Sequence, residues 1–410
     1  MSQTKVLLVG YNGANNTGAE ALLLSDIEDV RAVLGPDALI TVPTLNESNL
    51  RRYVKEGPNL RIVPIPSIFP LAVRRLVAEH DLIMLVEGHC YMDDSTSVLL
   101  WAYLWATHCA HTMGKASLAY SVDAGQLSPV NRRLVRHEAS KTDLIITRSQ
   151  GAADRLRACG VTAPIKVTAD NAFNFQTAPS DEGWVQRVWP EARSGLAGLA
   201  AVNYHLWPVV MRPWGKSEDC YKWPYYFSTS PERRRAAAEL ADGYAALADC
   251  LVREHDKSIA LICMEELDEP FARQVQQRMV YASRARLFSA PEYSASQMTV
   301  LLRSLDLLVT SRYHGCVLSL AAQVPQVAVG HDLRLKTIYD ELGFTDQFFL
   351  DPHTPNLCAT LKERVEKLLA NPALEKESLR RGYEEHLNNS RGNRALLRSF
   401  VKERGWEVVA

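Results

Sequence analysis

The chain carries almost no net charge. Its 46 lysines and arginines stand against 47 acidic residues over 410 positions, a balance of −1. No global field draws it toward nucleic acid or an anionic membrane, so any anionic ligand has to be held by a local cluster of cations. Paired cysteines are also missing. None of the eight cysteines falls in a C-x-x-C, which argues against a disulfide scaffold or a zinc knuckle and suits a reducing, cytoplasmic setting. Long apolar runs are absent as well: the longest, Val98 to Ala110, is interrupted by His108 and is too short to span a bilayer. The opening MSQTKVLLVGY enters strand-like sequence at once, so no signal peptide is expected. Internal repeats and low-complexity tracts are lacking.

What is there reads as an α/β protein. Hydrophobic residues make up 47% and charged residues 23%, ordinary for a globular chain, and 410 residues exceed what one core usually serves. Strand candidates are Val6–Val9, Leu39–Val42, Arg61–Ile65, Leu82–Val86, Ala116–Tyr120, Leu144–Thr147 and Ile165–Val167, and longer helical stretches such as Ala19–Leu34 separate most of them. Continuous apolar strands alternating with helices imply a parallel sheet covered on both faces. The stretch Ala178–Gly195 reads as a boundary. A second alternation follows, with strands at Ala200–Tyr204, Ile259–Cys263, Ala285–Phe288, Leu305–Val309 and Gln326–Val329, and a charged helical tail runs from Pro355 to Trp406. The expected architecture is two doubly wound domains, 1–178 and 195–354, facing across a cleft, with 355–410 as a helical tail. Ligands of such sheets sit beyond the carboxyl ends of the strands, so those positions bear inspection.

Four strand ends carry chemistry. The first is Gly10-Tyr-Asn-Gly13-Ala-Asn-Asn16-Thr-Gly18-Ala-Glu20, between a strand and a helix. Gly13, Asn16 and Gly18 suit a backbone that approaches a ligand at a helix N-terminus, or equally a tight turn with a capped helix. Its spacing matches neither G-x-G-x-x-G nor a P-loop, so neither a dinucleotide nor an NTP is specified. The second is Glu87-Gly88-His89, where His89 suits phosphate binding or proton transfer, or is simply a loop histidine. The third is Thr147-Arg148-Ser149, whose planar guanidinium fits a carboxylate or phosphate. The fourth, Arg312-Tyr313-His314-Gly315, pairs a fixed cation with a titratable imidazole ahead of a helix, and Arg334 and Lys336 follow the next strand.

One stretch has no clear period. From Tyr204 to Phe227 it holds Trp207, Trp214, Trp223 and several tyrosines among Arg212, Lys216 and Lys222. Such loops often bind ligands, and aromatic faces stack on sugars, though packing on the parent domain is an equal reading. His108 and His111 around Cys109 read as packed core residues rather than metal ligands, and no metal site is expected.

Taken in order, these motifs resemble the polysaccharide pyruvyl transferase family over roughly residues 4–345. GYNGANNTGAEALL is similar to its opening strand, loop and helix. LIMLVEGH with DDSTS resembles its second loop, LAYSVDAGQLSP the next strand, DLIITRSQGAADRLRACGV its arginine segment and VTADNAFNF its aspartate segment. SLDLLVTSRYHGCVLSLAAQVPQVAVGHD is the fullest match. The resemblance implies two Rossmann-like domains of GT-B type and transfer of a pyruvyl group from phosphoenolpyruvate to a sugar as a ketal, in polysaccharide biosynthesis, with no cofactor. It implies Arg148, Arg312 and His314 as catalytic donor-site residues. Arg334 aligns with the family's lysine, and Lys336 lies two residues on. Glu87-Gly88-His89 replaces a glycine run, and Ala19 stands where the family has an acid. Trp207 and Trp214 become acceptor candidates, the acceptor being a sugar, an oligosaccharide or a lipid-linked sugar. Peripheral membrane contact stays open and nucleic acid is not expected. A GT-B-type nucleotide-sugar glycosyltransferase and a non-catalytic sugar-binding relative are the competing readings.

Overall fold

In the computed structural model, residues 3–93, 96–192, 195–206, 209–211, 214–222, 225–330 and 332–409 are described. The chain forms two compact units. The first comprises Met1–Ala14, Ala19–Gln176 and Glu385–Ala410, and the second Asn15–Gly18 and Thr177–Glu384.

The first unit is built on seven strands: β1 (Lys5–Val9), β2 (Leu39–Thr44), β3 (Leu60–Pro64), β4 (Leu82–Leu85), β5 (Ala116–Val122), β6 (Leu144–Thr147) and β7 (Ile165–Val167). All pair in parallel, in the order β3-β2-β1-β4-β5-β6-β7. Strand period two explains the two cores. Val6 and Leu8 face one side, with Leu23, Ile27 and Val30 of helix Thr17–Leu34 and Leu397 and Phe400 of helix Lys376–Glu403. Leu7 and Val9 face the other, with Val77, Leu100, Tyr103, Val135 and Leu156 from four successive helices. Each buried aliphatic side chain contributes roughly 1.5–3 kcal/mol, so the alternation itself locks the register. The order reverses at β1, between β2 and β4. Gly10 ends β1 there, where a Cβ would lie 3.0 Å from the Val86 carbonyl.

The second unit holds β8 (Leu196–Ala200), β9 (Val209–Met211), β10 (Cys220–Lys222), β11 (Tyr225–Phe227), β12 (Ser258–Cys263), β13 (Ala285–Ser289), β14 (Leu307–Thr310), β15 (Gln326–Val329) and β16 (Phe349–Leu350). Six form a parallel sheet, β13-β12-β8-β14-β15-β16, and the other three a small antiparallel sheet, β10-β11-β9. Its central strand differs from the sequence expectation. β8 lies at Leu196–Ala200, ahead of the expected Ala200–Tyr204, and Tyr204–Leu206 is a 3-10 turn. LAGLA has no β-branched residue to mark it as a strand, yet all five residues are buried. The expected boundary is also structured. Helix Trp184–Val188 buries Trp184 edge-on against Phe288 and Tyr293. The helical tail divides: Leu357–Ala370 belongs to the second unit, while from Glu385 the helix Lys376–Glu403 belongs to the first. All eight cysteines carry free thiols. Among the described residues, no helix is long and apolar enough to cross a membrane.

Candidate active site

In the first unit the strand ends converge on Arg148. This side chain follows β6 and is almost wholly buried, 4% exposed. Its Nε donates to Asp123 Oδ2 at 3.0 Å and its Nη1 to Asp170 Oδ2 at 2.5 Å. Asp123 follows β5 and Asp170 follows β7, so one guanidinium ties three strand ends together. Gly88, after β4, completes the enclosure. A Cβ there would meet Nη1 at 2.5 Å and Cζ at 2.9 Å, so the Arg148 guanidinium leaves no room for a side chain at this position of Glu87-Gly88-His89. His89 is partly exposed, its Nδ1 3.8 Å from Glu87 Oε1. Gly13 adopts φ +74°, and a Cβ there would lie 2.5 Å from the Asn46 carbonyl, while its N–H donates to the Tyr53 hydroxyl at 3.0 Å. Gly13 therefore serves a turn.

Behind Arg148 lies a buried polar network. The Asn171 amide donates to Asp26 at 2.7 Å and to Asp29 at 2.9 Å, and Tyr120 donates to Asp29 at 2.7 Å. Burial pushes the Asp26 carboxyl well up, although the Asn171 bond opposes it. From the C-terminal helix, Ser390 donates to the Asp170 carbonyl, Asn393 to the Ala169 carbonyl and Arg394 to Asp29. The aspartate segment VTADNAFNF is thus where the end of the chain fastens.

In the second unit the strand ends build a different cluster. Arg312, after β14, donates from Nε to both carboxylate oxygens of Asp268 at 3.2 and 3.0 Å, and its Nη2 pairs with the same group. Its Nη1 stands 3.0 Å from Glu265 Oε2. Both acids follow β12, and a reciprocal capping arrangement locks Glu265 to Asp268. Burial raises the Asp268 carboxyl to about 6, with Arg312 pulling against it. Each terminal nitrogen of a guanidinium carries two hydrogens, so Arg312 keeps donors beyond those two acids.

His314 stands two residues on, near the start of helix Tyr313–Ser319. Its ring lies edge-to-face with Tyr313, centroids 5.1 Å apart, and the Arg334 guanidinium lies 5.8 Å from the Tyr313 ring centre. Arg334 is held by Asp332 at 2.9 and 2.8 Å. Lys336 instead pairs with Asp340 one turn along the same helix, at 3.1 Å on an exposed face.

Residues Asn15–Gly18 join this cluster. The Thr17 N–H donates to the Met264 carbonyl at 2.9 Å, the Glu266 N–H to the Asn15 carbonyl at 3.1 Å, and Asn16 forms a bridge with Glu265. Gly18 lies against His314: a Cβ there would come within 2.8 Å of Cε1 and closer still to Nδ1 and Cγ. The structure therefore gathers Asn16, Gly18, Arg312, His314 and Arg334 in the second unit, and holds Arg148, Gly13 and His89 in the first. Trp214 is exposed. Trp207 lies outside the described residues. Sequence reasoning missed Glu265, Asp268 and Asp332, although all three sit just past strand ends, the same signal that marked the cations.

Two doubly wound parallel sheets with cations past their strand ends make this a protein of GT-B-like architecture. The chain matches the polysaccharide pyruvyl transferase family over residues 16–332 and belongs to it. Among curated proteins none matches it. Among solved structures it is similar to HepE of Anabaena in complex with UDP (13% identity, TM-score 0.57, covering 98% of this chain and 100% of that one). It is likewise similar to UDP-GlcNAc 2-epimerase from Neisseria meningitidis bound to UDP-GlcNAc (9%, 0.62, 98% and 100%). A glycosyltransferase from Rickettsia africae is a third (11%, 0.54, 99% and 98%). At these identities the likeness concerns the fold alone.

Proposed function

We propose that this chain transfers the pyruvyl group of phosphoenolpyruvate to a pair of hydroxyls on a sugar, forming a ketal. The observation that carries this reading is His314 seated against Gly18, with Arg312 just past β14 and Arg334 in the first turn of the helix that follows β15. Phosphoenolpyruvate brings a carboxylate and a phosphate, and Arg312 and Arg334 supply two cations whose directions are set by Asp268, Glu265 and Asp332. The first sugar hydroxyl adds at the enol carbon, its proton lost to a base, while the methylene carbon gains a proton and becomes a methyl group. The second hydroxyl then displaces phosphate and closes the ketal, its proton leaving with the phosphate. His314 is the proton carrier, taking the hydroxyl proton or protonating the methylene, a role typically worth about 10²–10⁴-fold.

Arg148 acts differently in this reading. Bracketed by Asp123 and Asp170, it holds the strand-end loops of the first unit in place. Gly13, Asn16 and Gly18 shape backbone, and Asn16 fastens its segment beside Glu265. His89 and Lys336 are further candidates for the substrate, and the exposed Trp214, with Trp207 of the same sequence stretch, is a candidate for the acceptor sugar.

A nucleotide sugar is the second donor to test, because the HepE and epimerase structures hold UDP or UDP-GlcNAc. Purified protein is incubated with sugar acceptors and either phosphoenolpyruvate or UDP-sugars, following phosphate and UDP. Acceptor-dependent phosphate release, abolished by His314→Ala in a folded protein, is expected. UDP release without phosphate release would replace this reading with glycosyl transfer. Donor-stabilised melting with neither product would mean a sugar-binding relative.

A further inference from the structure

One face of the first unit departs sharply from the neutral balance of the whole chain. Helices Pro70–Glu79, Ser97–Thr112 and Pro129–Ala139 all pack their inner sides on the same core, through Val77, Tyr103 and Val135 among others. They form one layer over the sheet. Two indoles stitch it across: Trp105 Nε1 donates to the Pro70 carbonyl at 2.9 Å, and Trp101 Nε1 to Asn131 Oδ1 at 2.8 Å. The outer side of this layer and the loop leading into it expose large apolar groups. Ile68 is 86% exposed, Leu71 82% and Val130 67%, with Trp101 and Leu134 beside them.

Arginines surround these groups. Arg74 and Arg75 lie on the first helix, and Arg132, Arg133 and Arg136 on the third, all exposed. Over the three helices five arginines face two glutamates, a net of +3 in a chain of net −1. None of the five has an ion-pair partner among the described residues. Among the described residues the nearby acids are spoken for: Glu79 by Arg61, Glu138 by Lys141 and His108, and Asp93 by Ser128 and Asn131. Unpaired exposed arginines beside bulky exposed aliphatics and a tryptophan match the demands of a bilayer surface. There the aliphatic groups enter the acyl boundary, the indole sits at headgroup level, and the guanidiniums meet lipid phosphates. Ile68 and Leu71 project almost fully from the surface, a geometry suited to entering the acyl boundary.

We propose that this helical face docks on an anionic membrane surface, setting the first unit flat against the leaflet. The test is co-sedimentation of the full chain with vesicles of phosphatidylcholine and phosphatidylglycerol, against vesicles of phosphatidylcholine alone. Binding to the anionic vesicles is expected, weakening with salt. The triple substitution Arg132→Glu, Arg133→Glu, Arg136→Glu is expected to lower the partition by on the order of 100-fold, and Ile68→Ser with Leu71→Ser by roughly tenfold. All these positions are exposed, so unchanged melting temperatures are expected to accompany the loss. No partition of the wild-type protein onto anionic vesicles, or a partition that both variants leave unchanged, overturns the proposal. So does a solution dimer that Leu71→Ser dissolves in a protein that ignores vesicles, since the face would then belong to a second copy of the chain.

Discussion

The imidazole of His314 fills the space that a side chain on Gly18 would need. The two residues are nearly three hundred positions apart, and both belong to the second unit. A methyl group at position 18 must displace the ring or the Asn15–Gly18 backbone, and a misplacement of about 1 Å can cost roughly 10²-fold in rate. Gly18→Ala is therefore expected to lower pyruvyl transfer about 100-fold with only a small change in melting temperature. In a double-mutant cycle, adding Gly18→Ala to His314→Ala should cost little more than His314→Ala alone. Additive losses would show that Gly18 acts independently of the imidazole.

Arg148 and Asp170 make the opposite prediction, a loss of fold. Both are almost entirely buried, and Asp170 is one of two carboxylates that compensate the guanidinium. Removing one partner of a buried pair strands the other charge, typically at about 3–5 kcal/mol. Asp170→Ala is expected to destabilise the protein by about that much in urea unfolding. Arg148→Lys should also be costly, because an ammonium cannot span Asp123 and Asp170 as a fork does. A melting temperature unchanged by Asp170→Ala would mean that the pair is not the fastening described.

These two relationships show how far the sequence could be read. Most strand positions and the cations at strand ends were legible, because buried parallel strands are continuous apolar runs and ligand groups follow them. Arg312, His314 and Arg334 were singled out on that ground and do lie together. The acids that orient them were not seen: Glu265 and the 3-10 turn ending at Asp268 follow a strand too, but the cation they orient lies more than forty residues away in sequence. Arg148 was legible as an arginine after a strand, but its burial between two aspartates depends on three loops meeting, which no local pattern encodes. β8 escaped notice for another reason. LAGLA lacks the β-branched residues that mark strands, and its burial comes from the neighbours β12 and β14. The fastening of the final helix to Asp29, Ala169 and Asp170 was likewise invisible, since a charged helix reads as solvated until its polar residues are seen to point inward.

Arg334 and Lys336 were indistinguishable as donor ligands by sequence, and the structure separates their surroundings. Arg334 is braced by Asp332 and lies over the Tyr313 ring that touches His314, whereas Lys336 faces outward to Asp340. Arg334→Ala is expected to raise the KM for phosphoenolpyruvate at least tenfold, while Lys336→Ala leaves it within about twofold, since exposed pairs at this spacing are worth roughly 0.3–0.5 kcal/mol. Steady-state kinetics on both variants decides the matter, and the reverse ranking would move the donor site along the helix.

Glu375 gives a test by pH. Its side chain is fully buried before the long C-terminal helix, where Oε2 accepts the Gln326 N–H at 2.7 Å while Oε1 has no hydrogen-bond partner among the described residues. Burial raises this carboxyl from 4.5 to about 8, only partly opposed by the Gln326 bond. A folded-state pKa above the unfolded one means that the folded protein holds a proton that the unfolded chain releases first. The resulting stability is fully present below pH 4.5 and is lost as pH rises through about 8. The total at stake is on the order of 5 kcal/mol. Wild-type stability should therefore fall between pH 6 and pH 8 by an amount that Glu375→Gln does not share, because the neutral amide has nothing to ionise. Chemical denaturation of both proteins across that range measures the difference, and parallel pH profiles would show that Glu375 is already ionised in the folded state.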